Sequence, residues 1–184
     1  MLFRSGLMLG YWQMARLDWK NASTDRIEQR ALAETQWIDD VTSRFSAFDD
    51  LDYWQVKVVG TFDHDQEFHL FATDAQGQIG YRIVTPLHRA GSTTVFVDRG
   101  FVPAGIKNRT LRNDGLAEGD VVVTGITRLS WRQGAFQPDN QPADNLWFYL
   151  DLDEMAKAAG IKIGRASCTQ ALTTPNPGAC TPGP

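Results

Sequence analysis

Three arginines are the side chains of this chain best suited to binding chemistry. Arg99 stands at the end of an apolar run, and Arg109 and Arg112 lie in the polar segment that follows. Guanidinium groups gathered in this way bind carboxylates bidentately. The alternative is an internal ion pair between Arg99 and a nearby acid such as Asp98, Asp114 or Asp120.

Histidine is scarce, and His64, His69 and His88 are the only examples. Glu67 and His69 are two residues apart on a predicted strand, so they share a face and form a possible pair of metal ligands. A third ligand is not evident nearby, and exposed sheet faces carry such pairs routinely. We therefore predict no metal site. His64 lies in an acidic turn, where we expect it to be solvated.

Motifs of covalent or nucleotide-dependent enzymes are absent. The sequence has no Gly-x-Ser-x-Gly elbow, no Gly-x-Gly-x-x-Gly turn, no Walker loop and no Cys-x-x-Cys pair. The adjacent acids Asp39-Asp40 and Asp49-Asp50 lie in predicted loops, where such pairs usually face water. We therefore predict that the protein is not an enzyme.

The composition is that of one domain with a sizeable core. The chain has 184 residues, of which 42% are hydrophobic, and a net charge of −4 gives no reason to expect nucleic acid as a partner. Most of the six Trp and ten Phe are expected to fill the core, and some could line a contact surface. Cys168 and Cys180 flank a flexible segment, and a disulfide between them is left open.

Alternating apolar residues predict a strand-rich middle region. Short turns between the strands favour antiparallel pairing, because parallel pairs need longer crossovers. A helix with Ile27 and Ile38 on one face precedes the strands, and a second helix over 151–159 ends at Gly160. The predicted fold is α+β, with an antiparallel β-barrel or strongly curved sheet of about six strands and a helix at each end. The predicted strands cover 54–60, 67–72, 79–85, 93–98, 120–128 and 146–150.

The segment Val97-Asp98-Arg99-Gly100-Phe101-Val102-Pro103 predicts a sharp exit from the sheet. Glycine takes a positive φ without penalty, and proline cannot continue a strand ladder. The polar loop over residues 103–119 that follows is long enough to suggest a function.

Aromatic and basic residues end the short apolar run at the amino terminus, in Leu9-Gly10-Tyr11-Trp12-Gln13 and Arg16-Leu17-Asp18-Trp19-Lys20. Such residues gather where a helix leaves a bilayer. The run is too short to span a membrane, which takes about 20 apolar residues. We predict that residues 1–20 are the exit end of a truncated membrane-anchor helix; an amphipathic helix docked on the domain is the alternative. Residues 21–163 are predicted to form one extramembrane domain, and 164–184 a flexible Pro/Gly/Thr-rich tail leading to a second anchor that this chain lacks.

The order of short motifs resembles that of the surfeit locus protein family of cytochrome c oxidase assembly factors. The resemblance covers roughly residues 7 to 160, and eight motifs occur in the same order. They include the two amino-terminal motifs above, Val56-Lys57-Val58-Val59-Gly60-Thr61-Phe62, Gly80-Tyr81 with Thr85-Pro86-Leu87, Val97 to Pro103, Val123-Thr124-Gly125-Ile126-Thr127-Arg128, Phe136-Gln137-Pro138-Asp139-Asn140, and Asn145-Leu146-Trp147 with Asp151 and Met155.

The resemblance implies a non-enzymatic role in maturing cytochrome c oxidase. It implies that haem a is handled for the large subunit, which would be the protein partner, and that a helix at each end anchors the domain in a membrane. The implied location is the bacterial inner membrane with this domain in the periplasm, or the mitochondrial inner membrane in a eukaryote. In the family the expected haem ligand is a His of the second anchor, beyond Pro184, so no ligand is assigned to this chain.

The resemblance and the motifs together give a set of candidate residues. We expect Trp12 and Arg16 to hold the helix at the membrane surface, Gly100 and Pro103 to shape the strand exit, and Arg99 to face a partner acid or a haem propionate. The alternative function is a soluble barrel-type domain that binds a small apolar ligand in an aromatic-lined pocket. The candidate motif and partner-binding residues are Trp12, Gln13, Arg16, Arg99, Gly100, Pro103 and Arg109.

Overall fold

The computed structural model describes residues 8, 11–14, 16–17, 24, 29–30, 32–44, 51–112, 116–130 and 133–170. The described residues up to Arg30 are helical, and no helix in the described part of the chain has the length and apolar character needed to cross a membrane. The strands are β1 Gln36–Trp37, β2 Gln55–Phe62, β3 Phe68–Thr73, β4 Ile79–His88, β5 Thr94–Pro103, β6 Asp120–Arg128 and β7 Ile163–Gln170, and the later helices are α1 Ile38–Arg44 and α2 Leu152–Ala159.

The strands form one mixed sheet in the order β1-β2-β6-β7-β5-β4-β3. The β1–β2 and β5–β7 pairs are parallel, and the remaining neighbours are antiparallel. The last two residues of β2 also pair with the end of β4, where Thr61 lies opposite His88 and Phe62 opposite Leu87.

The predicted antiparallel barrel or strongly curved sheet with a helix at each end is wrong. The segment Ile163–Gln170 forms β7 and lies between β5 and β6, although all of it after Ile163 was expected to belong to the flexible tail. Its pairing with β5 is a second parallel pair besides β1–β2, and it places α2 before a strand instead of at the end of the domain. Residues 171–184, including Cys180, lie outside the described residues, so the disulfide stays open.

Two further elements differ from the sequence prediction. The amino-terminal helix does not continue to Ile38 in one piece, because Gln36–Trp37 pairs with β2 as a strand. The expected strand over 146–150 makes only isolated bridges, from Leu146 to Gln141 and from Trp147 to Leu70.

The apolar residues that alternate along β2 and β6 are buried on one face of the sheet, as predicted. Val56 and Val58 are buried, and Val121 and Val123 face them from β6, with Val58 directly opposite Val123. This confirms the strands predicted in these two regions. Burial of every second side chain is what apolar alternation produces when one face of a sheet is covered.

Strand β5 is buried on both faces. Val95 and Val97 belong to the apolar cluster that includes Ile38 and Val41 of α1. Phe96 belongs to the other cluster, with Trp147 and residues of α2. Helices therefore cover opposite faces of this interior strand, which explains its uninterrupted apolar run.

A β-bulge interrupts the pairing of β5 with β4. Val84 lies opposite Asp98 and Arg82 opposite Phe101, so Arg99 and Gly100 together oppose Ile83. Gly100 has a φ of 106°, and the Asp98 carboxylate accepts its N–H at 2.9 Å. The strand continues to Pro103, so the positive φ of this glycine makes a bulge and not the expected sharp exit.

Gly80 in β4 has no room for a side chain. A Cβ at this position would lie 2.3 Å from the Val102 carbonyl oxygen and 2.4 Å from the Phe101 ring. We expect Gly80→Ala to lower the free energy of unfolding by about 1–3 kcal/mol. Thermal unfolding measures the effect, with Gly105→Ala as the control, because a Cβ at Gly105 meets nothing within 4 Å. Equal melting temperatures for the two variants would contradict this reading of the packing.

Candidate functional site

A cavity of about 570 Å³ opens at the start of β3. Eight of its ten lining residues are polar or charged, so it is not the aromatic-lined pocket that an apolar ligand would require. The lining residues are His64, Asp65, Glu67, His69, Ala104, Gly105, Lys107, Asn108, Arg109 and Asn145.

Glu67 is the buried anion of this cavity, with 8% of its surface exposed. Its Oε1 accepts hydrogen bonds from the Arg112 guanidinium and from His69 Nε2, the latter at 3.2 Å. Burial by itself would raise the pKa of Glu67, but these hydrogen bonds and the positive charge beside them outweigh burial and hold the pKa below its usual value of 4.5. Glu67 is therefore ionised at neutral pH.

Arg112 joins the 104–112 loop to the sheet. Besides Glu67, its guanidinium binds two carbonyl oxygens of its own loop, those of Ile106 and Lys107, both at 3.0 Å. Arg109 makes a second link from the same loop to Asp65, at 2.6 Å, in a more exposed pair. The loop is thus closed on itself and attached to the residues that precede β3.

Arg99, on β5, also contacts the residues that precede β3. His64 Nε2 lies 2.8 Å from the Ala117 carbonyl and donates to it, so its Nδ1 accepts from Arg99 at 3.2 Å. The Arg99 guanidinium also lies 5.1 Å from the centre of the Phe62 ring. His64 is therefore held by two hydrogen bonds, whereas the sequence predicts a solvated residue.

The alternative ion partners proposed for Arg99 are engaged elsewhere or not described. Asp98 is 2.5 Å from Arg82, and Asp120 accepts a hydrogen bond from the Thr61 hydroxyl at 2.7 Å. Asp114 lies outside the described residues. The structure therefore brings the three arginines to the single segment 64–67, through contacts that the sequence does not specify.

Asn145 organises the far wall of the cavity and was not among the predicted site residues. It adopts the left-handed conformation, with φ 48°. Its Nδ2 donates to the Glu67 carbonyl at 2.7 Å, and its Oδ1 accepts from Trp147 Nε1 at 3.1 Å. The sequence shows it only as part of an Asn-Leu-Trp motif, without a role.

The amino-terminal candidates lie apart from this cavity. Trp12, Gln13 and Arg16 are exposed helical residues, and none of them lines it. The Arg16 guanidinium lies 5.2 Å from the Trp12 ring centre. Of the other candidates, Arg109 lines the cavity, and Pro103 directly precedes the loop that covers it.

His88 lies in a chain with the order carboxylate, imidazole, hydroxyl. Its Nε2 is 3.3 Å from Asp63, and its Nδ1 is 3.1 Å from the Thr94 hydroxyl. Thr94 is 9% exposed, and none of the three residues lines the cavity. These contacts hold the end of β4 in place.

The described residues contain no group of three His, Cys, Asp or Glu side chains arranged to hold a metal ion. Glu67 and His69, the possible ligand pair of the sequence, are hydrogen bonded to one another instead.

Comparison with known proteins gives a consistent result. The chain matches the profile of the SURF1 family over residues 2–182. It is 35% identical to Surfeit locus protein 1 of Rattus norvegicus over 167 residues, which is 83% of this chain and 54% of the relative. It is 33% identical to Surfeit locus protein 1 of Homo sapiens, over 83% of this chain and 55% of the relative, and 31% identical to a SURF1-like protein of Monosiga brevicollis, over 80% and 60%. The chain spans about half the length of the curated relatives it matches.

The lowered pKa of Glu67 predicts an acid-sensitive contribution to stability. Because the unfolded chain binds this proton more readily, the contribution is complete above the usual value of 4.5 and is lost as the pH falls through the lower pKa of the folded state. Between about pH 5 and that lower value, the free energy of unfolding should fall more steeply for the wild type than for Glu67→Gln.

Urea unfolding over this pH range measures the difference. Burial raises the pKa of Asp52, which gives a slope of opposite sign, but that slope is common to both proteins and cancels. Parallel pH profiles for the two proteins would contradict the assignment of Glu67.

Asn145 should contribute more to stability than an exposed asparagine does. Asn145→Ala removes the hydrogen bonds to Glu67 and Trp147 and leaves alanine in a left-handed conformation, so we expect a loss of about 2–4 kcal/mol. Asn108→Ala is the control, because its side chain accepts one hydrogen bond, from the Thr110 N–H, at the surface. Chemical denaturation compares the two variants, and equal losses would refute the organising role of Asn145.

Proposed function

The chain belongs to the SURF1 family, as its motif order predicts, and on this premise we propose that it is a non-enzymatic assembly factor for cytochrome c oxidase. In this proposal it binds the large subunit of the oxidase and assists the placement of haem a, which is cargo. The observation that carries the proposal is the family match over residues 2–182. The polar cavity supports a binding role, since the residues that line it provide hydrogen-bonding and charged groups.

The described histidines are poorly disposed to hold the haem iron. Both ring nitrogens of His64 and of His88 are hydrogen bonded, and the remaining nitrogen of His69 is buried. We therefore place the iron ligand outside these residues. Arg109 is suited to a haem propionate or a partner carboxylate, because its side chain lines the cavity and is 38% exposed.

We further propose a location at the bacterial inner membrane, with this domain in the periplasm, or at the mitochondrial inner membrane in a eukaryote. Trp12 is exposed, and the Arg16 guanidinium lies over its ring. Such aromatic and basic side chains are typical of a helix at a membrane–water interface. Gln13, exposed between them in the sequence, belongs to the same helical segment.

Complementation of a strain without this protein tests the proposal. The wild-type chain, expressed within the whole protein, should restore the haem a content of the oxidase, and Arg109→Ala should restore much less. Because Arg109 forms an exposed pair, its loss should change the free energy of unfolding by less than about 1 kcal/mol.

Absorbance spectra of isolated membranes give the haem a content, and thermal unfolding gives the stability. Arg44→Ala is the matched control, since Arg44 is an exposed arginine bonded to Gln36. Normal haem a content in the strain without this protein would refute the proposed function.

A further inference from the structure

An unbroken series of ring contacts runs from the cavity to the edge of the sheet. His69 lies 6.0 Å from Tyr81, Tyr81 lies 6.4 Å from Phe71, and Phe71 lies 5.9 Å from Phe148, measured between ring centres. We call these four residues the aromatic band. His69 also lines the cavity, so the band and the cavity are continuous.

The aromatic band lies on the face of β3 opposite the apolar core. Phe68 and Leu70 point into the cluster around Trp147, whereas Phe71 alternates with them and is 39% exposed. Ile79, two residues before Tyr81 on β4 and therefore on the same face, is 56% exposed. Adjacent exposed apolar side chains on one sheet face are typical of a contact surface.

Lys107 adds a positive charge where the band meets the cavity. Its ammonium nitrogen lies 4.6 Å from the centre of the Tyr81 ring, and the residue lines the cavity. In contrast, Glu67 and Asp65 are already paired with Arg112 and Arg109. Among the described ion pairs none includes Lys107, so its charge is available to an incoming anion.

These features fit a polypeptide better than a lipid surface. Aromatic side chains are enriched at protein interfaces, and a charged group at their border can pair with a partner of opposite charge. A net charge of −4 opposes attraction to anionic lipids, which needs clusters of basic residues.

We infer that the aromatic band and Lys107 form the docking surface for a partner segment that carries a carboxylate next to a large apolar side chain. The apolar side chain packs on Phe71 and Tyr81, and the carboxylate pairs with Lys107. Under the proposed function, on which the identity of the partner rests, this segment belongs to the large subunit of the oxidase.

Co-purification from detergent-solubilised membranes tests the surface. Lys107→Glu and Phe71→Ala should each reduce the large subunit retained by at least about tenfold, the loss typical of a central interface residue. The matched controls are Lys57→Glu, on an exposed position of β2, and Val122→Ala, since Val122 is also 39% exposed but lies on β6. Circular dichroism and thermal unfolding establish that all four variants are folded. If the wild type retains the subunit and the band variants retain as much as the controls, the docking surface is refuted while the proposed function stands.

A second measurement separates the surface from the identity of the partner. Short synthetic peptides containing Asp-Phe or Asn-Phe are titrated against the purified protein by fluorescence anisotropy. The docking surface is supported if the Asp-Phe peptide binds more tightly than the Asn-Phe peptide, and if this preference is lost in Lys107→Glu and kept in Lys57→Glu. That result stands even if the large subunit fails to co-purify with the wild type. Such a failure overturns only the proposed function. Equal binding of the two peptides, or binding to anionic vesicles in their place, overturns the inference.

Discussion

The arrangement of the cavity depends on one buried carboxylate. Glu67 is ionised in a position where burial opposes charge, and it is compensated by Arg112 and His69. Removing the partner of a buried charge destabilises a protein far more than separating an ion pair at the surface does. Arg112 also binds two carbonyls of the 104–112 loop, so the charge that compensates Glu67 also fixes the position of that loop. The placement of Lys107 and Arg109 over the cavity follows from this contact.

The parts of the fold that could be predicted are those with a local pattern. Alternation in β2 and β6 reflects burial of one face, and the unbroken apolar run of β5 reflects burial of both. Strand β7 has no such pattern, because its place is set by backbone pairing with β5 and β6, which are far from it in sequence. Its parallel pairing with β5, like the parallel pairing of β1 with β2, makes the sheet mixed, and local periodicity does not report such pairings.

The site was predictable in its residue types and not in its contacts. Arg99, Arg109 and Arg112 do converge, as guanidinium groups near one another in the sequence can. The residues they meet lie 35 to 45 positions away, and the Asn145 contact with Glu67 links residues 78 positions apart. No spacing rule relates such residues, so an acid close in the sequence, Asp98, was as reasonable a partner for Arg99 as His64. At the bulge, the Asp98 carboxylate binds the Gly100 N–H and the Arg82 guanidinium, so it is engaged with groups other than Arg99.

Strand β3 is the last strand of the sheet, and the middle of its outer backbone is bonded to Trp147. The Trp147 N–H donates to the His69 carbonyl, and the Trp147 carbonyl accepts from the Phe71 N–H. An uncovered border strand is a template on which another polypeptide can extend the ladder, and the usual result is aggregation. Trp147 occupies two of these groups, so another polypeptide cannot pair with the His69 carbonyl and the Phe71 N–H beside the exposed ring of Phe71. A partner that docks here would therefore be recognised by side chains, which discriminate among sequences, and not by main-chain pairing at these two groups, which does not.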